Sequence, residues 1–141
     1  MIPTITVSDQ VHPEAATRLG DGLSAFNKEK IGYEDRLPLQ VLVRDEASGA
    51  ILGGIVGRTS LGLLTIERVY LPEDLRGQDI GTRMMALAEA EARRRGCRSG
   101  IVDTLSFQAP EFYKRLGWSV FGTIPGRPDG LSRIYLTKDF G

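Results

Sequence analysis

The chain has 141 residues, of which 41% are hydrophobic, and its 18 basic and 18 acidic side chains cancel to a formal net charge of zero. This composition predicts one globular domain, residues 1–141, with enough apolar material for a single core. The balanced charge argues against a nucleic-acid or membrane partner and disfavours a nucleic-acid-linked regulator. One cysteine excludes an internal disulfide, and without a leader segment or a long apolar run we expect a cytoplasmic protein.

The first half of the chain predicts a short strand, a helical region and an antiparallel meander. Ile2–Val7 is β-like, and Pro13–Lys30 has the spacing of one or two helices. Turn residues separate three further apolar runs and predict a three-stranded meander. Its strands are Leu39–Arg44, Ile51–Gly57 and Leu63–Leu71.

The second half alternates between helical and extended patterns. Asp79–Arg95 keeps helical spacing, and a short helix beginning at Pro110 ends at Gly117. We interpret Arg93–Arg95 as a solvated helix end whose cations complement the helix dipole. The remaining segments are strands at Ser99–Thr104, Trp118–Phe121 and Arg133–Thr137, and a Gly/Pro loop at Thr123–Ser132.

The third meander strand contains a break in its two-residue period. Leu64 and Ile66 share one parity, but the next strongly apolar residues, Val69 and Leu71, have the other. One extra residue would explain the slip as a β-bulge, whereas burial of both faces would explain it without one. A bulge would turn the strand away from the parallel strand at Ser99–Thr104 and leave backbone groups free for an extended ligand.

A Gly-punctuated loop joins this strand to the next helix within Val69–Met85. Unpaired N–H groups and the positive end of the helix dipole meet there, and Gly77 and Gly81 let the backbone approach a phosphate. The residues after Gly81 do not fit a P-loop, and the glycine spacing does not fit a dinucleotide fingerprint. A turn at Gly77 and a helix cap at Asp79 are the alternative interpretation.

Two motifs resemble the GNAT superfamily of N-acetyltransferases. R-G-Q-D-I-G, Arg76–Gly81, resembles the family's R/Q-x-x-G-x-G/A acyl-CoA pyrophosphate loop, with Asp79 where the family has its first glycine. The segment Ser106–Trp118 resembles the family's N-x-x-A-x-x-F-Y-x-x-x-G-F pattern, with serine for the asparagine and tryptophan for the last phenylalanine. Both motifs lie in the expected order within Leu63–Phe121.

The resemblance implies a mixed α/β fold of the α+β kind, with a mostly antiparallel twisted sheet split by a parallel strand pair and flanked by helices. It implies acetyl-CoA as the cosubstrate, lying between the bulged strand and the parallel strand after it. The implied reaction moves an acetyl group to a primary amine of a small molecule or peptide, by direct attack in a ternary complex. A homodimer is a family-level expectation. No Cys, His and acid cluster has the spacing of a metal site.

The resemblance and the chemistry of acyl transfer together assign roles to individual residues. Tyr113 would protonate the departing thiolate, since a phenol with a pKa near ~10 stays protonated at neutral pH. The Leu71 backbone amide would polarise the thioester carbonyl, and Glu67 would relay a proton from the amine. The cofactor-binding set is Leu71, Arg76, Gly77, Gln78, Asp79, Ile80, Gly81, Thr82, Ser106 and Phe112.

Each role has a simpler structural alternative. Tyr113 is also what a half-buried amphipathic helix face would carry, and Glu67 is also an ordinary solvated strand residue. The Asp79 departure keeps open a catalytically silent acyl-CoA-binding or partner-binding module on the same fold. For the acceptor, four residues near the first helices and the Pro125–Arg133 loop could receive a cation or be solvated loop residues. These are Tyr33, Glu34, Asp35 and Asp129.

Overall fold

The computed structural model describes all residues from Met1 to Gly141. The chain divides into two compact units, Met1–Glu34 and Asp35–Gly141. The single domain expected from the composition therefore stays a prediction. No helix combines the length and apolar character needed to cross a bilayer.

The first unit contains one helix. Helix α1, Pro13–Ile31, begins with a proline in its first turn and ends at Gly32, whose φ of 90° lets its N–H reach the Lys28 carbonyl. The predicted helical region is thus one continuous helix, and none of its residues is buried. The predicted strand at Ile2–Val7 is wrong, because that segment pairs with no strand and its apolar side chains are at least 92% exposed.

The second unit is a six-stranded mixed sheet with two helices. Its strands lie in the order β1-β2-β3-β4-β6-β5, and β3–β4 is the parallel pair among otherwise antiparallel neighbours. This confirms the predicted fold class and the three-stranded meander. The elements are β1 Leu37–Arg44, β2 Ile51–Ser60, β3 Leu63–Tyr70, a 3₁₀ turn Glu73–Leu75, α2 Ile80–Arg94, β4 Ser99–Leu105, α3 Pro110–Arg115, β5 Ser119–Pro125 and β6 Ser132–Asp139.

The loop predicted at Thr123–Ser132 is shorter than expected. Thr123 to Pro125 continue β5, because they pair with β6 from Ile134 back to Ser132. The Gly/Pro composition suggested a turn, but antiparallel pairing extends the hairpin until residues 126–131 reverse the chain.

Helix α2 covers the sheet and supplies much of its core. Met84, Met85, Ala88 and Ala92 recur at helical spacing and are almost fully buried. They pack in one cluster with strand residues such as Ile55, and this packing holds α2 against the sheet.

The basic run at the end of α2 is the solvated helix end that we predicted at Arg93 and Arg94, which are exposed, but not at Arg95. Arg95 is only 19% exposed, and its guanidinium donates to the Pro38 carbonyl at 2.9 Å and to Thr59 Oγ1 at 3.0 Å. Arg93 lies over the Phe140 ring, 5.1 Å from its centroid. These two cations therefore attach the helix end to β1, β2 and the C-terminus, which a local sequence pattern cannot show.

Candidate functional site

The predicted β-bulge in β3 is confirmed. Val56 of β2 pairs with Arg68 and the adjacent Gly57 pairs with Ile66, so Glu67 is the extra residue. Gly57 lets the strands approach here, because a Cβ at that position would lie 2.3 Å from the Thr65 carbonyl oxygen. The bulge thus rests on a glycine of the neighbouring strand as well as on β3 itself.

The parallel strands β3 and β4 separate at the bulge. They pair only from Leu63 to Thr65 on β3, and Thr65 opposite Ile101 is the last rung. Beyond it β4 continues to Leu105 paired with β6 alone. The split that we predicted between these strands is therefore present, and backbone groups of both strands face it without a strand partner.

The loop after β3 has two left-handed residues directly before α2. Gly77 has φ 76° and Asp79 has φ 63° and ψ 9°. Asp79 occupies the N-cap position, but its side chain makes no capping hydrogen bond, so the alternative interpretation of Asp79 as a side-chain cap is wrong. The αL backbone is a conformation that glycine adopts freely and aspartate tolerates, which explains how Asp79 fits where the motif has glycine.

Two side chains of this loop form hydrogen bonds with backbone carbonyls of the same segment. The Arg76 Nε donates to the Leu71 carbonyl at 2.9 Å, and the Gln78 side-chain amide donates to the Asp74 carbonyl at 3.0 Å. The predicted anion-binding residues Arg76 and Gln78 thus have structural contacts as well. The backbone N–H groups of Ile80, Gly81 and Thr82 lie in the first turn of α2, where helix geometry leaves them without intrahelical acceptors.

Helix α3 joins the loop to Tyr113. A Cβ on Gly81 would lie 3.3 Å from the edge of the Phe112 ring, so the two residues are in contact. Phe112 packs edge-to-face on Tyr113 with centroids 5.2 Å apart. The structure therefore brings the loop glycine, Phe112 and Tyr113 together.

Tyr113 is buried, with 5% of its surface exposed. Desolvation by this burial raises the pKa of its phenol to about 12, and the charge of Asp103 contributes in the same direction. The phenol therefore holds its proton throughout the neutral range. A phenol in this state can act as a proton donor and not as a base, and its raised pKa makes it a weaker acid than an ordinary tyrosine.

Glu67 forms an ion pair that its sequence context did not indicate. Its Oε1 accepts from Arg58 of β2 at 2.5 Å, and both side chains are more than one third exposed. Glu67 is the extra residue of the bulge, and its carboxylate is paired across to β2.

Ser106 is engaged with the last strand. Its Oγ accepts from the Ser132 amide at 3.0 Å, and its own amide donates to the Ser132 carbonyl at 2.8 Å. The hydroxyl proton of Ser106 is the part of the side chain that this contact does not use.

Of the four candidate acceptor residues, Tyr33 and Glu34 belong to the first unit, and Asp35 and Asp129 belong to the second. Asp35 accepts from the Leu61 amide at 2.7 Å in the β2–β3 turn, at the opposite end of β3 from the loop. Glu34 accepts from Asn27 at 3.1 Å within the first unit. Asp129 lies in the exposed β5–β6 loop.

Sequence reasoning missed Asp103. It lies on β4 beyond the last β3–β4 rung, pairs with Arg133 and influences the Tyr113 phenol. Its position in the otherwise uncharged strand S-G-I-V-D-T-L was the available signal, because an acid within a buried strand usually has a specific partner. No group of three or more His, Cys, Asp or Glu side chains is arranged to hold a metal ion.

The comparisons with known proteins agree with this geometry. Residues 10–118 match the model of the acetyltransferase (GNAT) family. Acetyltransferase Atu2258 of Agrobacterium fabrum is 34% identical over 134 residues, covering 95% of this chain and 97% of that protein. Blasticidin-S acetyltransferase of Streptomyces morookaense is 37% identical over 92 residues, covering 64% and 68%.

A solved structure shows the same fold over nearly the whole chain. The crystal structure described as an acetyltransferase from Agrobacterium tumefaciens superimposes with a TM-score of 0.86 at 33% identity, covering 97% of this chain and 99% of that one. The split sheet, the glycine loop and the buried tyrosine occur here in the order that both motifs imply. The chain therefore belongs to the GNAT family and is an acetyltransferase.

Proposed function

We propose that this acetyltransferase transfers an acetyl group from acetyl-CoA to a primary amine of a small molecule, by direct attack in a ternary complex. The observation that carries the proposal is the end of β3–β4 pairing at Thr65 and Ile101, directly before the Glu67 bulge. A split of this kind offers unpaired backbone groups to the amide-containing arm of the cofactor, and the anion-binding loop follows at the end of β3.

The pyrophosphate binds at the loop and the first turn of α2. Free N–H groups of Ile80, Gly81 and Thr82 donate to it, and the left-handed Gly77 supports the concave backbone that suits an anion. Arg76 adds positive charge, although its Nε already holds the Leu71 carbonyl. The Ser106 hydroxyl and Phe112 contact the arm where it passes α3.

The chemical step forms one bond and breaks another at the acetyl carbonyl carbon. The neutral amine nitrogen forms the new C–N bond, and the Leu71 N–H stabilises the carbonyl oxygen as it gains charge. When the C–S bond breaks, its electron pair leaves on sulfur and Tyr113 donates the phenol proton to that sulfur. Glu67 passes the proton lost by the amine to water, and the same solvent returns a proton to Tyr113.

The acceptor class follows from the relative that acetylates an identified compound. Blasticidin-S acetyltransferase is 37% identical over 92 residues, which supports a small molecule as acceptor. Glu67 and Asp103 lie on the two strands of the split, and each is paired with an arginine, so the acceptor class rests on this relative.

An amine panel tests the activity. Acetyl-CoA is incubated with the protein and each amine, blasticidin S and short peptides included, and free CoA thiol is followed with a thiol reagent. Amine-dependent thiol release with formation of the N-acetyl product supports the proposal. Tight CoA binding without release by any amine would instead indicate the silent acyl-CoA-binding module.

The Tyr113→Phe substitution tests whether Tyr113 is the general acid. The substitution keeps the packed ring and removes the hydroxyl, so we expect nearly unchanged CoA affinity and turnover lower by about 10- to 1000-fold. Tyr135→Phe is the matched control, since Tyr135 lies on β6 and packs on Phe121. Undiminished turnover in Tyr113→Phe would exclude the role. In Glu67→Gln, an unchanged pH profile of turnover would make Glu67 structural.

A further inference from the structure

We infer that Glu89 is a positioning residue for Tyr113: its buried carboxylate holds Trp118 and Lys138, and these two residues fix the end of α3. The inference rests on the proposed acid role of Tyr113. The carboxylate of Glu89 is bound by Trp118 and Lys138 and not by Tyr113, so its effect on the reaction would be indirect.

Both carboxylate oxygens of Glu89 are occupied. The residue lies on α2 and is 5% exposed. Oε1 accepts from Lys138 Nζ at 2.8 Å, and Oε2 accepts from Trp118 Nε1 at 3.3 Å. A buried carboxylate needs such partners, because its desolvation is otherwise strongly unfavourable.

Both partners of Glu89 also form hydrogen bonds with backbone carbonyls of α3 or its C-terminal cap. Lys138 Nζ also donates to the Leu116 carbonyl at 2.6 Å, which lies at the C-terminal cap of that helix. The Trp118 amide donates to the Tyr113 carbonyl at 3.0 Å. A helix of six residues is too short to be stable alone, so these contacts decide its orientation.

Aromatic ring packing also connects Trp118 to the Tyr113 side chain. Tyr113 and Trp118 pack edge-to-face with centroids 6.4 Å apart, and Trp118 packs in the same way on Phe140 at 6.3 Å. A change in the Trp118 position therefore moves the surface against which the Tyr113 ring rests.

The main effect of Glu89, Trp118 and Lys138 is to fix the orientation of α3, and not to add stability. Buried ion pairs often add little net stability compared with apolar residues of similar volume. The directional contacts of Glu89, by contrast, set both the Trp118 ring and the cap of α3. We therefore expect Glu89 to affect turnover more than an equally destabilising change elsewhere on α2.

Glu89→Gln tests the inference in the full-length protein. The amide keeps the volume and removes the charge that pairs with Lys138. We expect kcat to fall by about five- to thirtyfold while KM for acetyl-CoA stays within about twofold. Trp118 is the only tryptophan, so its fluorescence should report the altered contact directly. The pKa of the Tyr113 phenol, obtained from difference spectra against Tyr113→Phe, should fall as burial is lost.

Glu91→Gln is the matched control. Glu91 lies on the same helix and pairs with Arg94 and Arg95, away from α3. The Glu91→Gln variant should have a lower melting temperature, but its kcat, its Trp118 emission and the pKa of its Tyr113 phenol should stay as in the wild type. An equal fall in kcat in this control would overturn the inference.

If the Glu89→Gln variant does not fold, the Lys138→Met variant tests the same inference. It leaves the Leu116 carbonyl without its ammonium donor, and we expect the same loss of kcat. The double variant should lose no more than either single one, because both act through one cluster. Wild-type Trp118 emission and phenol pKa in a folded single variant would overturn the inference, whatever its turnover. If Tyr113→Phe alone keeps full turnover, the acid role fails separately.

Discussion

Asp79→Gly separates the backbone conformation of the loop from its charge. Asp79 lies directly before α2 with φ 63° and no side-chain capping bond. Glycine adopts this backbone without steric cost, so the substitution should leave the loop geometry intact. What it removes is a negative charge beside the proposed pyrophosphate site.

The stability of the free protein should change little. Relief of the left-handed conformation contributes about 1–2 kcal/mol. The greater freedom of glycine in the unfolded chain costs about 0.4–1 kcal/mol, and the lost favourable charge at the helix start about 0.3–1 kcal/mol. These terms cancel to within about 1 kcal/mol, so we do not expect the loss that a broken side-chain cap would cause.

CoA binding should change more than stability. Two phosphate charges about 8 Å from the carboxylate repel it by roughly 1–2 kcal/mol in total at an effective dielectric constant of about 40–80. Removing Asp79 should thus tighten CoA binding by about five- to thirtyfold at low salt. The gain should shrink at high salt, because the Debye length falls to about 3 Å at 1 M.

Isothermal titration calorimetry at two salt concentrations measures this effect. Asp79→Asn is the matched control, since asparagine also tolerates the left-handed backbone but carries no charge. Both variants should bind CoA more tightly by similar factors. Equal or weaker binding by both would refute the reasoning and place the carboxylate away from the phosphates. A gain in the glycine variant alone would assign the effect to the backbone.

Three further predictions concern stability. Gly100→Ala should lower the free energy of unfolding by about 1–3 kcal/mol in urea titrations, because its Cβ would lie 2.7 Å from Trp118 Cη2, whereas Gly122→Ala meets no atom within 4 Å and should be nearly neutral. The pKa of Glu91 is lowered from 4.5 to about 2 by hydrogen bonds from Arg94 and Arg95, so its contribution is complete above pH 4.5 and lost as the pH falls towards 2. Glu91→Gln should flatten that part of the stability profile, and an unchanged slope would contradict the assignment. Burial raises the pKa of Tyr113 from 10 to about 12, so its contribution is complete below pH 10 and lost as the pH rises to 12. Tyr113→Phe should remove this alkaline loss, which unfolding curves across pH 9–12 would detect.

The sequence by itself determined the local features of the site. The parity slip between Ile66 and Val69 located the bulge, and the glycines before the periodic run of α2 located the loop. Both follow from backbone geometry, because a strand has a two-residue period and a helix start leaves free N–H groups. The motif around Tyr113 likewise placed the tyrosine on its short helix.

Only the tertiary structure decided which distant side chains meet. Arg58 pairs with Glu67 across neighbouring strands, Asp103 acts on the Tyr113 phenol, and Glu89 joins α2 to β6. These contacts depend on strand order and on how α2 packs, and neither leaves a periodic signal in the chain. The same holds for Asp79, because a left-handed backbone at an acidic residue is set by the surrounding loop and not by the residue's own preference.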